Sequence, residues 1–284
     1  MQGAGNDFVL IETGETSRDW SVVSVAMCDR HYGVGSDGLL LLMPSDVADF
    51  RMRIFNVDGT EAEACGNGLR CLVKYFVDNG STGSGADEVS VETVAGIRKA
   101  TVYKEGGRIT GVQTEMGKPV FKAEDIPVTI ESGKDNIVDI KSMISYSVYI
   151  SGWELPLNLV SLGNPHAVYF YEHHVSNFPL SQLGSLVERH RIFPSGMNFE
   201  VARIASRGEI EARVWEKGVG ETLACGSGAC AITVAARLHG LVDSKVEVRL
   251  PGGILGVEWD GTGEVFLSGP AEIVFTGEWP DDGR

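Results

Sequence analysis

Positive charge is scarce in this 284-residue chain: 24 Lys and Arg stand against 39 Asp and Glu, a formal net charge of -15 at pH 7. Nucleic-acid binding rests on clustered cations that release counterions from a phosphate backbone. No basic run occurs, which argues against a nucleic-acid partner. Long apolar runs are missing as well. The longest is LLLLM at residues 39–43, far short of the roughly 20 residues a membrane helix needs. The opening residues carry no basic-then-apolar leader, so a cytoplasmic protein with no membrane partner is expected. Cysteine is sparse and odd in number: Cys28, Cys65, Cys71, Cys225 and Cys230. Too few for a disulfide scaffold in a chain this long, they are expected to be reduced thiols. There is no serine nucleophile elbow, no phosphate loop and no lysine marked as a pyridoxal anchor. Any chemistry at carbon is therefore expected to proceed without a cofactor.

What is present describes a globular protein. A hydrophobic content of 43% and a mean hydropathy of +0.01 allow one large core or two ordinary domains. GVGSDG (33–38) fits the spacing of a dinucleotide loop, but that loop follows a strand and opens a helix. Here CDRHY precedes it and LLLLM follows, so it is expected to be a turn entering a strand.

The cysteine turn occurs twice. ACGNGLRC (64–71) returns as ACGSGACA (224–231), and a 160-residue offset aligns Glu61 with Glu221, Ala64 with Ala224 and Cys65 with Cys225. Gly66, Gly68 and Gly80 align with Gly226, Gly228 and Gly240. GNDF (5–8) answers GNPH (163–166), and VSVETVAGIRKATV (89–102) answers VEVRLPGGILGVEW (246–259), in the same order. Two related halves follow. Each reads as a Gly-Asn loop, short strands such as FRMRIFNV and IEARVWEK, the cysteine turn, a helix ending at Gly80 or Gly240, then more strands.

The helices after the turns are apolar nearly all round, as buried helices are. The fold expected is α+β: two pseudo-symmetric domains, each a curved, mostly antiparallel sheet wrapped around a buried central helix, with the active site in the cleft between them. The halves are expected at 1–116, completed by C-terminal strands within 264–280, and at 117–263. Residues near 117–160 and 172–198 read as irregular connections.

A thiol at a helix start sits among unbonded N–H groups near the positive end of the helix dipole, which can lower its pKa from about 8.5 to roughly 3.5–7.5. The flanking glycines let backbone N–H groups approach a ligand, and Asn67 or Ser227 adds a polar group or caps the helix. Two such thiols suit a symmetric reaction, with one base and one acid on opposite faces of a carbon, exchanging roles when the reaction reverses. Against this stands simple packing. Free cysteines are commonly small buried residues, the better reading of Cys28, Cys71 and Cys230. Zinc ligation by the paired cysteines is disfavoured, because the intervals C-x5-C and C-x4-C lack the tight knuckle spacing.

GAGNDF, FNVDGTEAEACGNGLRC, SLGNPH, MNFEV and GETLACGSGACA, in this order, resemble diaminopimelate epimerase across almost the whole chain. The resemblance implies interconversion of LL- and meso-2,6-diaminopimelate without pyridoxal phosphate, in lysine and peptidoglycan precursor synthesis. It implies Cys65 and Cys225 as the proton-transferring pair, a donor in the first half and an acceptor in the second, with His166 and Glu216 assisting. Substrate contacts would come from Asn6, Asn56, Gly66, Asn67, Asn164, Asn198, Glu216, Lys217, Gly226 and Ser227. Neutral amides both donate to carboxylate and accept from ammonium, which suits a double zwitterion. Taken singly, Asn6 and Asn164 also read as turn formers, His166 as a packed histidine and Glu216 as a solvated strand residue.

Three departures stand out. WEKG carries Lys217 where the family typically has arginine, which keeps the charge without the planar two-pronged grip on a carboxylate. Gly38 stands where some members place glutamine, and the chain opens at MQGAGNDF, inside the family's usual first strand. Two alternatives stay open: a related cofactor-independent racemase of another amino acid, such as histidine or proline, and a protein that binds an amino acid without chemistry. The apolar segments EVFLSG (264–269) and EIVFTG (272–277) read as strands that could bury an edge in a homodimer, which the resemblance also suggests.

Overall fold

The run GLLLLM forms a strand, Gly38–Met43, buried along its whole length, in a computed structural model that describes residues 1–62, 65–80, 87–129 and 137–280. Ala64, which the repeat aligns with Ala224, lies outside the described residues. The burial has one cause per face, because successive strand side chains point to opposite sides. Leu40 and Leu42 join Leu69, Leu72, Val73 and Phe76, while Leu39, Leu41 and Met43 join Trp20, Val23 and Met27. Helix α1 (Trp20–Cys28) and helix α2 (Gly66–Asp78) supply these two layers. A strand covered on both faces reads as a continuous apolar run rather than an alternation. Helix α1 begins where the Asp19 carboxylate accepts from the N–H groups of Ser21 and Val22.

The protein is α+β and divides into two units, Met1–Glu115 with the chain from Ser268 onward, and Met116–Leu267. In the first, Asn6–Glu12 runs parallel to Gly38–Met43, which pairs antiparallel with Phe50–Asn56. That strand pairs with the short Glu61–Ala62 and, in parallel, with Glu88–Thr93. Two hairpins then add Gly96–Glu105 and Arg108–Glu115. Gln2 and Glu272 exchange both backbone hydrogen bonds and tie the C-terminal segment into this unit.

The second unit repeats the plan. Pro165–Phe170 lies parallel to Asn198–Ser206, then Glu209–Glu216 is antiparallel, Gly220–Thr222 short, Lys245–Leu250 parallel and Gly253–Glu258 its hairpin partner. Helix α3 (Leu180–Glu188) packs with Phe178, Phe199 and Val201. Helix α4 (Gly226–Leu238), buried from Gly228 to Ala236, packs on strands of the same sheet. The repeat holds residue by residue. Leu39 faces Phe55 as Phe199 faces Trp215, and Ile54 faces Ala62 as Val214 faces Thr222. Arg53–Glu61 and Arg213–Glu221 make the same two-pronged ion pair in each unit. Both internal helices end on a glycine in the left-handed region, Gly80 at φ 71° and Gly240 at φ 76°.

Three expectations are corrected. The stretch near 117–160 is not irregular: Ile137–Ile140, Met143–Ile150 and Trp153–Ser161 form an antiparallel meander. Its first turn is Lys141-Ser142, both at positive φ; neither residue type signals a tight hairpin turn. The stretch 172–198 contains α3, whose glycine is a packing device. A Cβ on Gly184 would lie 2.3 Å from the Trp215 ring. Finally, EIVFTG is not a strand. Only Glu272 makes a bridge, and Ile273, Val274 and Phe275 are exposed, because Gln2–Gly3 offers too short an edge to pair further.

Gly184→Ala is expected to cost ~1–3 kcal/mol through overpacking. Thermal unfolding should show it as roughly 2–4 °C of melting midpoint per kcal/mol. An unchanged midpoint would mean that Trp215 swings aside freely.

Candidate active site

Each internal helix is capped by a cysteine sulfur. Cys65 (φ -146°, ψ 116°) and Cys225 (φ -125°, ψ 119°) are extended, and their sulfurs accept the N–H of Gly68 and Gly228, each at 3.4 Å. Sulfur thus takes the place that a serine or aspartate oxygen normally holds. Asn67 and Ser227, expected as possible caps, lie inside the first turn instead. The second glycine of each turn answers a packing need: a Cβ on Gly68 would lie 2.8 Å from Leu40, and one on Gly228 3.0 Å from Glu200 Oε1.

In the first unit, Asn6 is the centre. Its Oδ1 accepts from Asn67 Nδ2 (3.2 Å) and from the Cys65 thiol (3.9 Å), while its Nδ2 donates to Asp37 (2.8 Å). Arg70, fully buried, donates to Asn67 Oδ1 at 2.5 Å and fixes that amide's orientation. Gly66 opens the helix beside them. Asn56 stands apart from this set, exposed, with its amide on Thr60. Gly38 could not carry a glutamine in this backbone, since a Cβ would meet the Phe55 carbonyl at 2.9 Å. Strand register makes Asn198 its equivalent.

The second unit gathers Asn164, His166, Ser227, Cys225 and Glu216. His166 Nδ1 lies 2.6 Å from Glu200 and its Nε2 3.1 Å from Asn164 Oδ1. Asn164 Nδ2 donates to Ser227 Oγ (3.1 Å), which stands 3.4 Å from the Cys225 sulfur. Glu216 accepts from Thr222 at 2.6 Å and receives the Cys225 thiol. Asn198 braces the backbone, donating to Pro165 O and accepting from Lys217 N–H, both at 2.9 Å. The exposed Lys217 side chain crosses Gly196, and among the described residues its ammonium has no carboxylate partner.

Electrostatics correct one expectation. Burial pushes the Cys225 thiol well up, and the charge of the nearby Glu216 adds to this, outweighing Ser227 and the Gly228 N–H. Cys225 therefore rests as a neutral thiol, and the helix start lowers only the cost of ionising it. Glu216 and Glu200 are also raised, chiefly by burial. Cys71 shows the packing role, its thiol pushed up to about 12 by burial, and Cys230 is fully buried too.

Four participants escaped the sequence reading: Asp37, Arg70, Thr222 and Glu200. Glu200 had a signal. Leu40 occupies the equivalent strand position in the first unit, so an acid there breaks an apolar slot. Its raised pKa gives a linkage prediction. A carboxyl whose pKa is raised in the fold contributes most below the ordinary value of 4.5, and that contribution is lost as pH rises through the raised value. The stability of the wild type relative to Glu200→Gln should thus fall from pH 4.5 upward in urea titrations. A difference independent of pH would contradict the upward shift of the Glu200 carboxyl.

A family model described as diaminopimelate epimerase matches residues 1–122 and 158–274. Curated relatives of that name include the protein of Agathobacter rectalis, 45% identical over 98% of this chain and 97% of its own. Another, from Methanococcus maripaludis, is 41% identical over 98% and 97%. Among solved structures, a probable proline racemase from Agrobacterium radiobacter with bound carbonate has a TM-score of 0.67 at 18% identity, over 94% of this chain and 88% of that one. A hydroxyproline epimerase from Agrobacterium vitis with bound trans-4-OH-L-proline has a TM-score of 0.66 at 15% identity, over 94% and 87%. At such identities the likeness is one of fold alone.

Proposed function

Because the chain belongs to the diaminopimelate epimerase family, we propose that it interconverts LL- and meso-2,6-diaminopimelate with Cys65 and Cys225 as the two proton-transferring groups. The observation that carries this assignment is the sulfur-capped helix start, made twice with the same N–H distance of 3.4 Å. A thiol bonded to a backbone donor is ready to become a thiolate without reorganisation.

The two turns differ in polarity, which supports distinct roles. Cys65 donates toward Asn6 Oδ1, as a proton donor does. Around Cys225, Ser227 and the Gly228 N–H can donate to the sulfur, and Glu216 stands ready for its proton. In one direction Cys225 removes the α-proton and Cys65 delivers one to the opposite face; reversal exchanges the roles. Removing the α-proton builds charge on the adjacent carboxylate, and helix-start N–H groups beside Gly66 and Gly226 suit that charge. Asn6, Asn67, Asn164 and Ser227 supply further hydrogen bonds, Lys217 a cation for a carboxylate. Asn56 and Asn198 complete the proposed substrate contacts from their strand ends.

No helix of the described residues is long and apolar enough to cross a membrane, and we place the enzyme in the cytoplasm. The exposed Ile273, Val274 and Phe275 favour a homodimer. Purified, reduced protein given LL-diaminopimelate should form the meso isomer, read by chiral chromatography. Racemisation of proline or histidine in its place would transfer the reading to a sister activity, which Lys217 makes worth assaying.

A further inference from the structure

We propose that Glu200 is a positioning residue that holds His166 as its Nε2–H tautomer and so sets the direction of every hydrogen bond leading to the Cys225 sulfur. The inference rests on the assignment of Cys225 as an acid–base thiol, and it deepens that assignment.

The chain of contacts is continuous within one unit. Glu200 Oε1 meets His166 Nδ1 at 2.6 Å; His166 Nε2 meets Asn164 Oδ1 at 3.1 Å; Asn164 Nδ2 meets Ser227 Oγ at 3.1 Å; Ser227 Oγ meets Cys225 Sγ at 3.4 Å. Glu200 and His166 are fully buried. An amide oxygen only accepts, so the proton between His166 and Asn164 belongs to Nε2. The Asn164 amide then points its N–H at Ser227. With its oxygen occupied as an acceptor, Ser227 is left to aim its own proton at the sulfur. The other tautomer reverses each step: the amide turns over, Ser227 donates to Asn164, and the sulfur loses one of its two donors.

Glu200 decides between these networks. As a carboxylic acid it donates to Nδ1, which leaves only Nε2 to carry the ring proton. Its second oxygen has no hydrogen-bond partner among the described residues, an environment that favours the neutral acid over a carboxylate, and burial raises its pKa accordingly. The carboxyl also lies beneath the turn itself, 3.0 Å from where a Cβ on Gly228 would sit. The first unit lacks the device. Its equivalent positions carry Leu40 and Phe8, and there the cysteine donates to its asparagine. One buried acid thereby distinguishes the two halves.

The test compares Glu200→Gln, whose amide N–H still donates to Nδ1, with Glu200→Leu, which installs the first half's residue. Nitrogen-15 NMR of the imidazole rings reads the tautomer, with His166→Asn identifying the signal. Wild type and Glu200→Gln should show Nε2–H, with kcat within about threefold of each other. Glu200→Leu should shift the ring toward Nδ1–H and lower kcat by roughly 10²–10³-fold with KM little changed, within the range for a mispositioned acid–base group. An Nδ1–H ring in the wild type overturns the proposal, even if the leucine variant fails to fold. So do equal losses in both variants, or a leucine variant with an unchanged ring. A wild type inactive on diaminopimelate would refute the functional reading alone, since the tautomer is read without turnover.

Discussion

Cys65→Ala and Cys225→Ala are each expected to lower kcat/KM for epimerisation by roughly 10³–10⁴-fold, the scale of losing a positioned acid or base. The size follows from the isolation of the two thiols. Cys71 is locked into the core with its thiol pushed up to about 12, and Cys230 is fully buried, so neither can stand in. The helices should survive, since the Gly80 and Gly240 ends and the apolar faces of α2 and α4 remain. The loss of one cap costs roughly 0.5–2 kcal/mol. Steady-state assays on folded variants check this, and full turnover by either variant would end the two-thiol account.

Glu216→Gln is expected to lower kcat by roughly 10²–10³-fold with a smaller change in KM. The carboxyl takes the Cys225 thiol and is itself steadied by Thr222 at 2.6 Å. Glutamine keeps the volume and the Thr222 contact but cannot receive a proton. Because burial holds Cys225 as a neutral thiol, a nearby acceptor matters more here than at an exposed cysteine. A variant with wild-type kcat would show that substrate binding alone supplies the acceptor.

The parts of the site legible in the sequence were those made by local chemistry. A Cys-Gly-polar-Gly turn repeated at a fixed offset exposes itself by repetition and places each thiol at a helix start, but that the sulfur itself, rather than Asn67 or Ser227, caps the helix is visible only in the structure. Glu200 was hidden because its partner is 34 residues away across a parallel strand pair; only comparison with Leu40 reveals an acid in an apolar slot. The meander after Ile137 was hidden by its turn, where Lys141 and Ser142 adopt positive φ without the glycine or asparagine that would announce it. Helix α3 carries Gly184, a residue of low helix propensity, in its interior, where it makes room for the Trp215 ring.

The central claim, that two thiols of opposite role act on one carbon, is tested most directly by proton NMR of LL-diaminopimelate with the reduced enzyme in heavy water during the first few per cent of conversion. The account predicts meso product carrying solvent deuterium at the inverted carbon from the first turnovers, while the remaining LL substrate keeps its proton. Product that retains the substrate's own proton would mean that a single base moved it across, and would contradict the pairing of Cys65 with Cys225.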